Sequence, residues 1–114
     1  MPIPPIQKQL VEKLMQRYCD GKIPKAIQDK IRLSYKIRGN SITLIESRPF
    51  WQDETRWIDA PVAQIRFDNG TKTFTLYCAD RNDKWHLYDF IEPSTDLKVI
   101  LMEIDADPTG IFWG

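Results

Sequence analysis

Residues 62–90 constrain the fold most, because their pattern predicts three antiparallel strands joined by two turns. The Asn69-Gly70 pair between alternating apolar residues is the strongest short signal for a β-hairpin, since a type I′ turn needs a positive φ at both central positions. With a two-residue loop, Ile65 is expected to lie opposite Phe74. The first hairpin therefore places alternate side chains on one apolar face.

The second turn, at residues 80–83, is expected to place Cys78 opposite Trp85 and Tyr77 opposite His86. In this register Cys78 points to the apolar face and His86 to the other face. The predicted apolar face contains Ala63, Ile65, Phe67, Phe74, Leu76, Cys78, Trp85 and Leu87. The predicted second face contains Gln64, Arg66, Thr73, Thr75, Tyr77, His86, Tyr88 and Phe90.

Apolar residues at helical spacing precede and follow the strands. The first helix is expected to bury one apolar stripe, in which Ile6, Leu10, Leu14 and Tyr18 recur at i+4 with Val11 and Met15 alongside. Gly21 is expected to end this helix with a left-handed cap, and Pro24 to start a short second helix. A C-terminal helix is predicted after Ser94, which is expected to cap it, because apolar residues follow at i, i+3, i+4 and i+7.

Residues 31–38 alternate between apolar and polar side chains, which is the period of a strand with one buried face. A Gly39-Asn40 turn places Ile37 opposite Ile42 in a second hairpin. Pro49 is expected to end the second strand, because proline cannot donate to a central ladder. Residues 50–60, which mix tryptophan with charged residues, are expected to form a loop.

This order of elements predicts an α+β fold in one domain over residues 1–114. It consists of an N-terminal helix, a short helix, a five-stranded antiparallel β-meander and a C-terminal helix. Both long helices are expected to lie on one face of the sheet. Antiparallel sheets often leave their second face in solvent.

The net charge is zero, yet the two parts of the chain differ in sign. Residues 1–48 carry ten Lys and Arg against four Asp and Glu, whereas residues 49–114 carry six against twelve. Such a chain can present a basic surface despite its neutral total. The N-terminus lacks the pattern of a signal peptide and no apolar run is long enough to span a bilayer, so a cytoplasmic protein without membrane contact is expected.

Four motifs carry a family resemblance: RPFW (48–51), PVAQIRF (61–67), LYCADRNDKWHLYD (76–89) and DPTGIFWG (107–114). Over about residues 30–114 the chain resembles a family of small bacterial proteins catalogued as domain-of-unknown-function family 3024. The resemblance implies a bacterial source and a compact single domain. It implies no activity.

Patterns for catalysis, metal binding and cofactors are weak. A cysteine nucleophile needs a base nearby, and the predicted register puts Cys78 and His86 on opposite faces. One histidine and two scattered cysteines do not make an ordinary zinc site, and no glycine-rich phosphate loop occurs. We therefore expect no metal and no cofactor, and the residues favour a non-catalytic protein.

The predicted second face of the sheet combines cations with aromatic rings, which suits contact with phosphates and stacking on bases. The candidate binding residues are Arg38, Arg48, Trp51, Trp57, Arg66, Tyr77, His86 and Tyr88. The first hypothesis is a non-catalytic protein-interaction or ligand-binding module, forming a homo-oligomer through the tryptophan loop and the C-terminal tail. The alternative is nucleic-acid binding, specifically RNA binding, through this face. A metal-independent nuclease that uses His86 or Tyr88 as acid or base is a variant of the alternative.

Overall fold

The computed structural model describes residues 2–113, and its elements form an α+β fold. They are α1 (Pro5–Lys22), a 3-10 helix (Lys25–Ile27), β1 (Arg32–Arg38), β2 (Ser41–Phe50), β3 (Asp53–Asp68), β4 (Thr73–Ala79), β5 (Trp85–Leu87) and α2 (Leu97–Ala106). Within the described residues the five strands form one antiparallel sheet in the order β1-β2-β3-β4-β5. The predicted α+β meander is confirmed.

One hydrophobic cluster joins both helices to the sheet. The sheet contributes the buried residues Ile42, Leu44, Val62, Ala63, Ile65, Phe67, Phe74, Leu76 and Cys78. Apart from Val62 these residues alternate along their strands, so they lie on one face of the sheet. The alternate residues point to the other face, which we call the open face.

The predicted stripe of α1 divides into two, and the helix buries the one with Val11 and Met15 rather than the one with Ile6 and Leu10. Its buried residues are Val11, Met15 and Cys19, whereas Ile6 is 85% exposed and Leu10 is 52% exposed. Both stripes have i, i+4 spacing and lie side by side, so the apolar period alone does not select between them. Gly21 lies inside α1, which ends at Lys22. No helix of residues 2–113 has the length and apolarity that crossing a membrane requires.

The hairpin β1–β2 has the predicted register, with Ile37 opposite Ile42. The segment expected to be a loop is instead the start of β3, which pairs with the end of β2. We call residues 46–60 the arm. Pro49 lies within β2 and pairs with Trp57. The pairing of β1 with β2 stops at Ser47, so one edge of Pro49 has no neighbouring strand, a position where proline is tolerated.

The loop between β3 and β4 has four residues rather than two, so Phe67, not Ile65, pairs with Phe74. The Asp68 carboxylate accepts hydrogen bonds from the N–H groups of Gly70 and Thr71 at 2.7 and 3.1 Å. Lys72 takes the positive φ of 59° that closes the loop. The register moves by two residues, so every side chain keeps its predicted face.

The loop between β4 and β5 has five residues, 80–84, rather than the expected four, and Asp83 in it takes a positive φ of 60°. Cys78 therefore pairs with His86, and Ala79 with Trp85. This register differs from the predicted one by a single residue, which exchanges the two faces of β5. The predicted separation of Cys78 and His86 on opposite faces is wrong.

The end of the chain folds back on the domain. Asp107 ends α2 with φ of 44°, and its carboxylate accepts the N–H groups of Phe112 and Trp113 at 3.0 and 2.9 Å. The Trp113 indole N–H donates to the carbonyl of Ile104 at 2.9 Å. At the other end of α2 the cap is Asp96, which accepts from the N–H of Lys98, rather than Ser94.

Candidate functional site

The open face presents rows of side chains that run across neighbouring strands. One row contains Arg38 on β1, Ser41 on β2, Arg66 on β3 and Thr75 on β4. Strands lie about 4.8 Å apart, so Arg38 and Arg66 start about 10 Å from each other. The sheet therefore holds two guanidinium groups on one face at a fixed backbone separation.

The next row contains Lys36, Thr43, Gln64 and Tyr77 on the same four strands. Gln64 Nε2 donates to Thr43 Oγ1 at 3.1 Å. Lys36 extends the basic character of the face to its β1 edge. The two rows together place one lysine and two arginines on the same face, with Arg66 next to Tyr77.

The Arg66 guanidinium is held in place by two contacts. Its Nε donates to Gln64 Oε1 at 2.8 Å, and its Cζ lies 3.9 Å from the centre of the Tyr77 ring. A guanidinium fixed in this way loses less side-chain entropy when it binds a ligand. Its two terminal nitrogens stay available for an anion.

Acidic partners are missing around these cations. Among the described residues, Lys36, Arg38 and Arg66 make no ion pair with a carboxylate. Asp68 lines the same depression as Arg66, but its Oδ1 accepts the N–H groups of the β3–β4 loop. The positive charge of this group therefore stays uncompensated by direct contacts.

Two shallow depressions lie on this face, one mainly over β3 and β4 and the other mainly over β1 and β2, and each includes residues of both rows. One of about 400 Å³ is lined by Asn40, Arg66, Phe67, Asp68, Asn69, Gly70, Thr75 and Tyr77. The other, of about 660 Å³, is lined by Lys36, Ile37, Arg38, Ser41, Thr43, Ile45 and Gln64. Each is a groove on an open sheet rather than an enclosed cavity, which suits an extended ligand more than a small compact one.

A second cation–aromatic stack lies where the arm leaves the sheet. The Cζ of Arg32 is 3.8 Å from the centre of the Trp57 ring. Near it, Ser47 Oγ hydrogen bonds to the Asp59 carboxylate at 2.5 Å, so this end of the face carries an acid. The net positive charge is therefore concentrated at the rows of Arg38 and Lys36.

The tip of the arm exposes an aromatic side chain. Trp51 is 80% exposed, and its ring centroid is 6.0 Å from that of Phe50. Arg56 lies over the other aromatic ring, with its Cζ 5.5 Å from the centre of Phe50. Trp51 is thus separate from the cluster around Arg66, at the far end of a two-stranded extension.

Of the eight candidate residues, the open face brings together Arg38, Arg66 and Tyr77, with Trp57 farther along. Arg48 instead pairs with Glu46 at 2.7 Å and lines a different depression, next to Trp113. The expected position of Arg48 at this face is therefore not observed.

His86 and Tyr88 are also absent from the open face. The His86 Nε2 is 2.7 Å from the Asp80 carboxylate. Tyr88 is only 2% exposed, and its hydroxyl donates to Glu103 Oε2 at 2.7 Å. The loop at residues 80–84 is one residue longer than expected, and the resulting register shift explains both differences.

The cysteines do not have the properties of nucleophiles. Burial raises the pKa of the Cys78 thiol above its ordinary value, and its Sγ lies 3.6 Å from the His86 carbonyl oxygen. Burial also raises the pKa of Cys19 to about 11. Both thiols are protonated at neutral pH, and a thiolate is what nucleophilic attack requires.

Metal-binding chemistry finds no support in the part of the chain from residue 2 to residue 113. No group of three or more His, Cys, Asp or Glu side chains there has the arrangement of a metal site. The half-buried Asp80 carboxylate is engaged by His86 and by the N–H groups of Lys84 and Asn82, which lower its pKa. Its contacts are those of a loop cap.

Sequence reasoning missed the structural role of Gln64 and Thr43. Their contact depends on the register between β2 and β3, in which Thr43 is opposite Gln64. A loop at residues 50–60, as expected from the sequence, does not define the register between β2 and β3. The Gly39-Asn40 turn and the alternating pattern of β3 predict which face of the sheet each side chain lies on. They do not predict which residues of β2 and β3 lie opposite each other.

One family model matches the sequence. The model described as Domain of unknown function (DUF3024) matches residues 3–114. The chain belongs to this family. The match includes α1, so this DUF3024 member resembles its family beyond the residues 30–114 that carry the motifs. No curated protein and no solved structure matches the chain.

Proposed function

We propose that this protein is a non-catalytic ligand-binding module whose open face binds a single-stranded nucleic acid. The observation that carries the proposal is the group formed by Lys36, Arg38 and Arg66. These three cations share one face and have no acidic partner among the described residues, and one of them, Arg66, lies over the Tyr77 ring. Phosphates provide the negative charge that such a group lacks.

The stacking arrangement favours unpaired bases over a duplex. The Arg66 guanidinium lies over the Tyr77 ring, and arginine planes and aromatic rings are the surfaces on which unpaired bases stack. The Trp57 ring with Arg32 offers a second such surface along the same face. A flat sheet does not enter the major groove, whereas unstacked bases lie readily across strands.

The nuclease variant loses its catalytic residues in this arrangement. Tyr88 is buried and bonded to Glu103, and His86 is bonded to Asp80 on the other side of the sheet. No other histidine exists in the sequence. The proposal is therefore restricted to binding.

The test measures the affinity of the protein for a fluorescein-labelled single-stranded RNA and for the corresponding DNA by anisotropy, over a range of salt concentrations. The double variant Arg38→Glu, Arg66→Glu is expected to lose at least about tenfold in affinity at low salt. Because each phosphate contact to a single strand contributes about 0.7 to the salt slope, the slope is expected to fall by about 1.4.

The matched control is Lys8→Glu, Lys13→Glu, which makes the same charge change at exposed positions of α1. It is expected to keep the wild-type salt slope. Absence of binding to both RNA and DNA at low salt contradicts the proposal. Equal losses in the two double variants also contradict it, because they assign the binding to net charge rather than to the open face.

A further inference from the structure

The apolar stripe of α1 from Ile6 to Tyr18 is only partly covered by the core and forms part of a separate surface. Leu14 and Tyr18 are half-buried, while Leu10 and Ile6 become progressively more exposed toward the start of the helix. Solvated helix faces are usually polar, so four apolar residues at i, i+4 spacing are unusual there. The open face does not involve any of them.

Helix α2 completes this surface. Leu101 is buried and Met102 is 70% exposed, and both border the gap between the two helices. The gap forms a groove of about 380 Å³ lined by Leu14, Arg17, Tyr18, Lys98, Leu101, Met102 and Asp105. Two helices with an apolar groove between them present the usual site for a third amphipathic helix.

The rim of the groove is basic. Arg17 on α1 and Lys98 on α2 make no ion pair with a carboxylate in the described part of the chain. The one acid of the lining, Asp105, is already bonded to Lys22 Nζ at 2.7 Å and to the Tyr18 hydroxyl at 3.4 Å. An occupant therefore meets an apolar floor between two uncompensated positive charges.

We propose that the groove between α1 and α2 binds an amphipathic helix of another protein that carries acidic residues on both sides of its apolar stripe. The apolar stripe fills the floor between Leu14 and Met102, and the acidic residues face Arg17 and Lys98. Opposite charges at this rim provide orientation and selectivity more than raw affinity.

A second copy of this chain fits the groove less well. In a two-fold symmetric contact the same patch occurs on both partners, so each Arg17 and Lys98 meets the rim of an identical basic groove. Like charges brought together in this way weaken the contact. The charge of the rim thus favours a different protein over self-association.

The test uses two synthetic 18-residue helical peptides with the same leucine stripe, one flanked by glutamate and the other by lysine. Their affinities are measured by titration of the ¹⁵N-labelled full chain, followed by NMR. The glutamate peptide is expected to bind at least about tenfold more tightly and to shift the resonances of residues 10–18 and 98–105.

Two variants assign the effect to the groove. Arg17→Glu, Lys98→Glu is expected to reverse the preference between the peptides, whereas the control Arg81→Glu, Lys84→Glu, at the exposed β4–β5 loop, leaves it unchanged. Met102→Ser, at an exposed position, is expected to weaken both peptides by about fivefold.

Three outcomes overturn the proposal. The first is that neither peptide binds the wild-type protein at concentrations up to about 1 mM, which is the weak limit of specific recognition. The second is that the resonance shifts lie outside the groove or are equal for both peptides. The third is a stable dimer in light scattering that Met102→Ser dissociates, which assigns the groove to a second copy.

Discussion

Substitution of Tyr88 by phenylalanine tests the register of β5. The Tyr88 hydroxyl is buried and donates to the Glu103 carboxylate at 2.7 Å. Its pKa is raised mainly by burial and also by the contact with Glu103, so the hydroxyl is protonated at neutral pH. In the register expected from the sequence, Tyr88 lies on the open face and its hydroxyl is solvated. The two registers therefore predict different losses of stability.

A hydrogen bond to a charged group contributes about 1.5–3 kcal/mol, and because Glu103 is half-buried and regains water when the bond is lost, we expect a loss of about 1.5 kcal/mol. Unfolding entropy is about 2.1 cal/mol/K per residue, or about 240 cal/mol/K for this chain, so Tyr88→Phe lowers Tm by about 6 °C.

The assay is thermal and urea unfolding followed by circular dichroism. The control is Tyr77→Phe, because the Tyr77 hydroxyl has no hydrogen-bond partner among the described residues and lies on the open face. It is expected to change the free energy of unfolding by less than about 0.5 kcal/mol. Equal effects of the two substitutions refute the observed register of β5.

Two further predictions concern Asp107 and Asp80. Asp107→Ala removes two hydrogen bonds to the C-terminal tail and leaves alanine at a positive φ. We expect the free energy of unfolding measured in urea to fall by about 2 kcal/mol, and the tryptophan fluorescence to shift to the red. An unchanged fluorescence spectrum contradicts the packing of the tail on the domain. The hydrogen bond with His86 lowers the pKa of the Asp80 carboxyl group in the folded protein. The ionised carboxylate therefore contributes its full stabilisation above the unfolded-state pKa of about 3.9, and this stabilisation is lost as the pH falls through the lower folded-state pKa. Asp80→Asn is expected to destabilise the protein at pH 7 and progressively less as the pH falls below about 3.9, and a destabilisation that does not change with pH contradicts this interpretation.

The fold could be predicted from alternation and turn residues, because both are local. Each of residues 63–67 and 74–78 lies on its predicted face, although the loop that joins them is two residues longer than expected. The choice of Asn69-Gly70 as a type I′ turn failed because the Asp68 carboxylate binds two loop N–H groups, and Lys72 instead takes the positive φ. A register shift of two residues leaves every side chain on the same face of the sheet.

The candidate site was only partly predictable for the same reason. Arg66 and Tyr77 lie on strands whose faces are fixed by several pairs, whereas β5 has three residues and a loop whose length decides its faces. No local sequence pattern predicts the positive φ of Asp83. With this loop conformation, His86 and Tyr88 lie on the face of the sheet opposite to the predicted one. The buried stripe of α1 likewise depends on contacts with the sheet and α2, not on its own period.

The arm explains the unusual composition of residues 50–60. Beyond the pairing with β4 at Ala63, the outer edge of β3 has no neighbouring strand among the described residues, so its backbone groups are open to pairing with another chain. Natural proteins discourage aggregation at such edges with charged residues and proline. Here they are Asp53, Glu54, Arg56, Asp59 and Pro61. Neutral replacements in this segment are therefore expected to affect solubility before they affect the stability of the core.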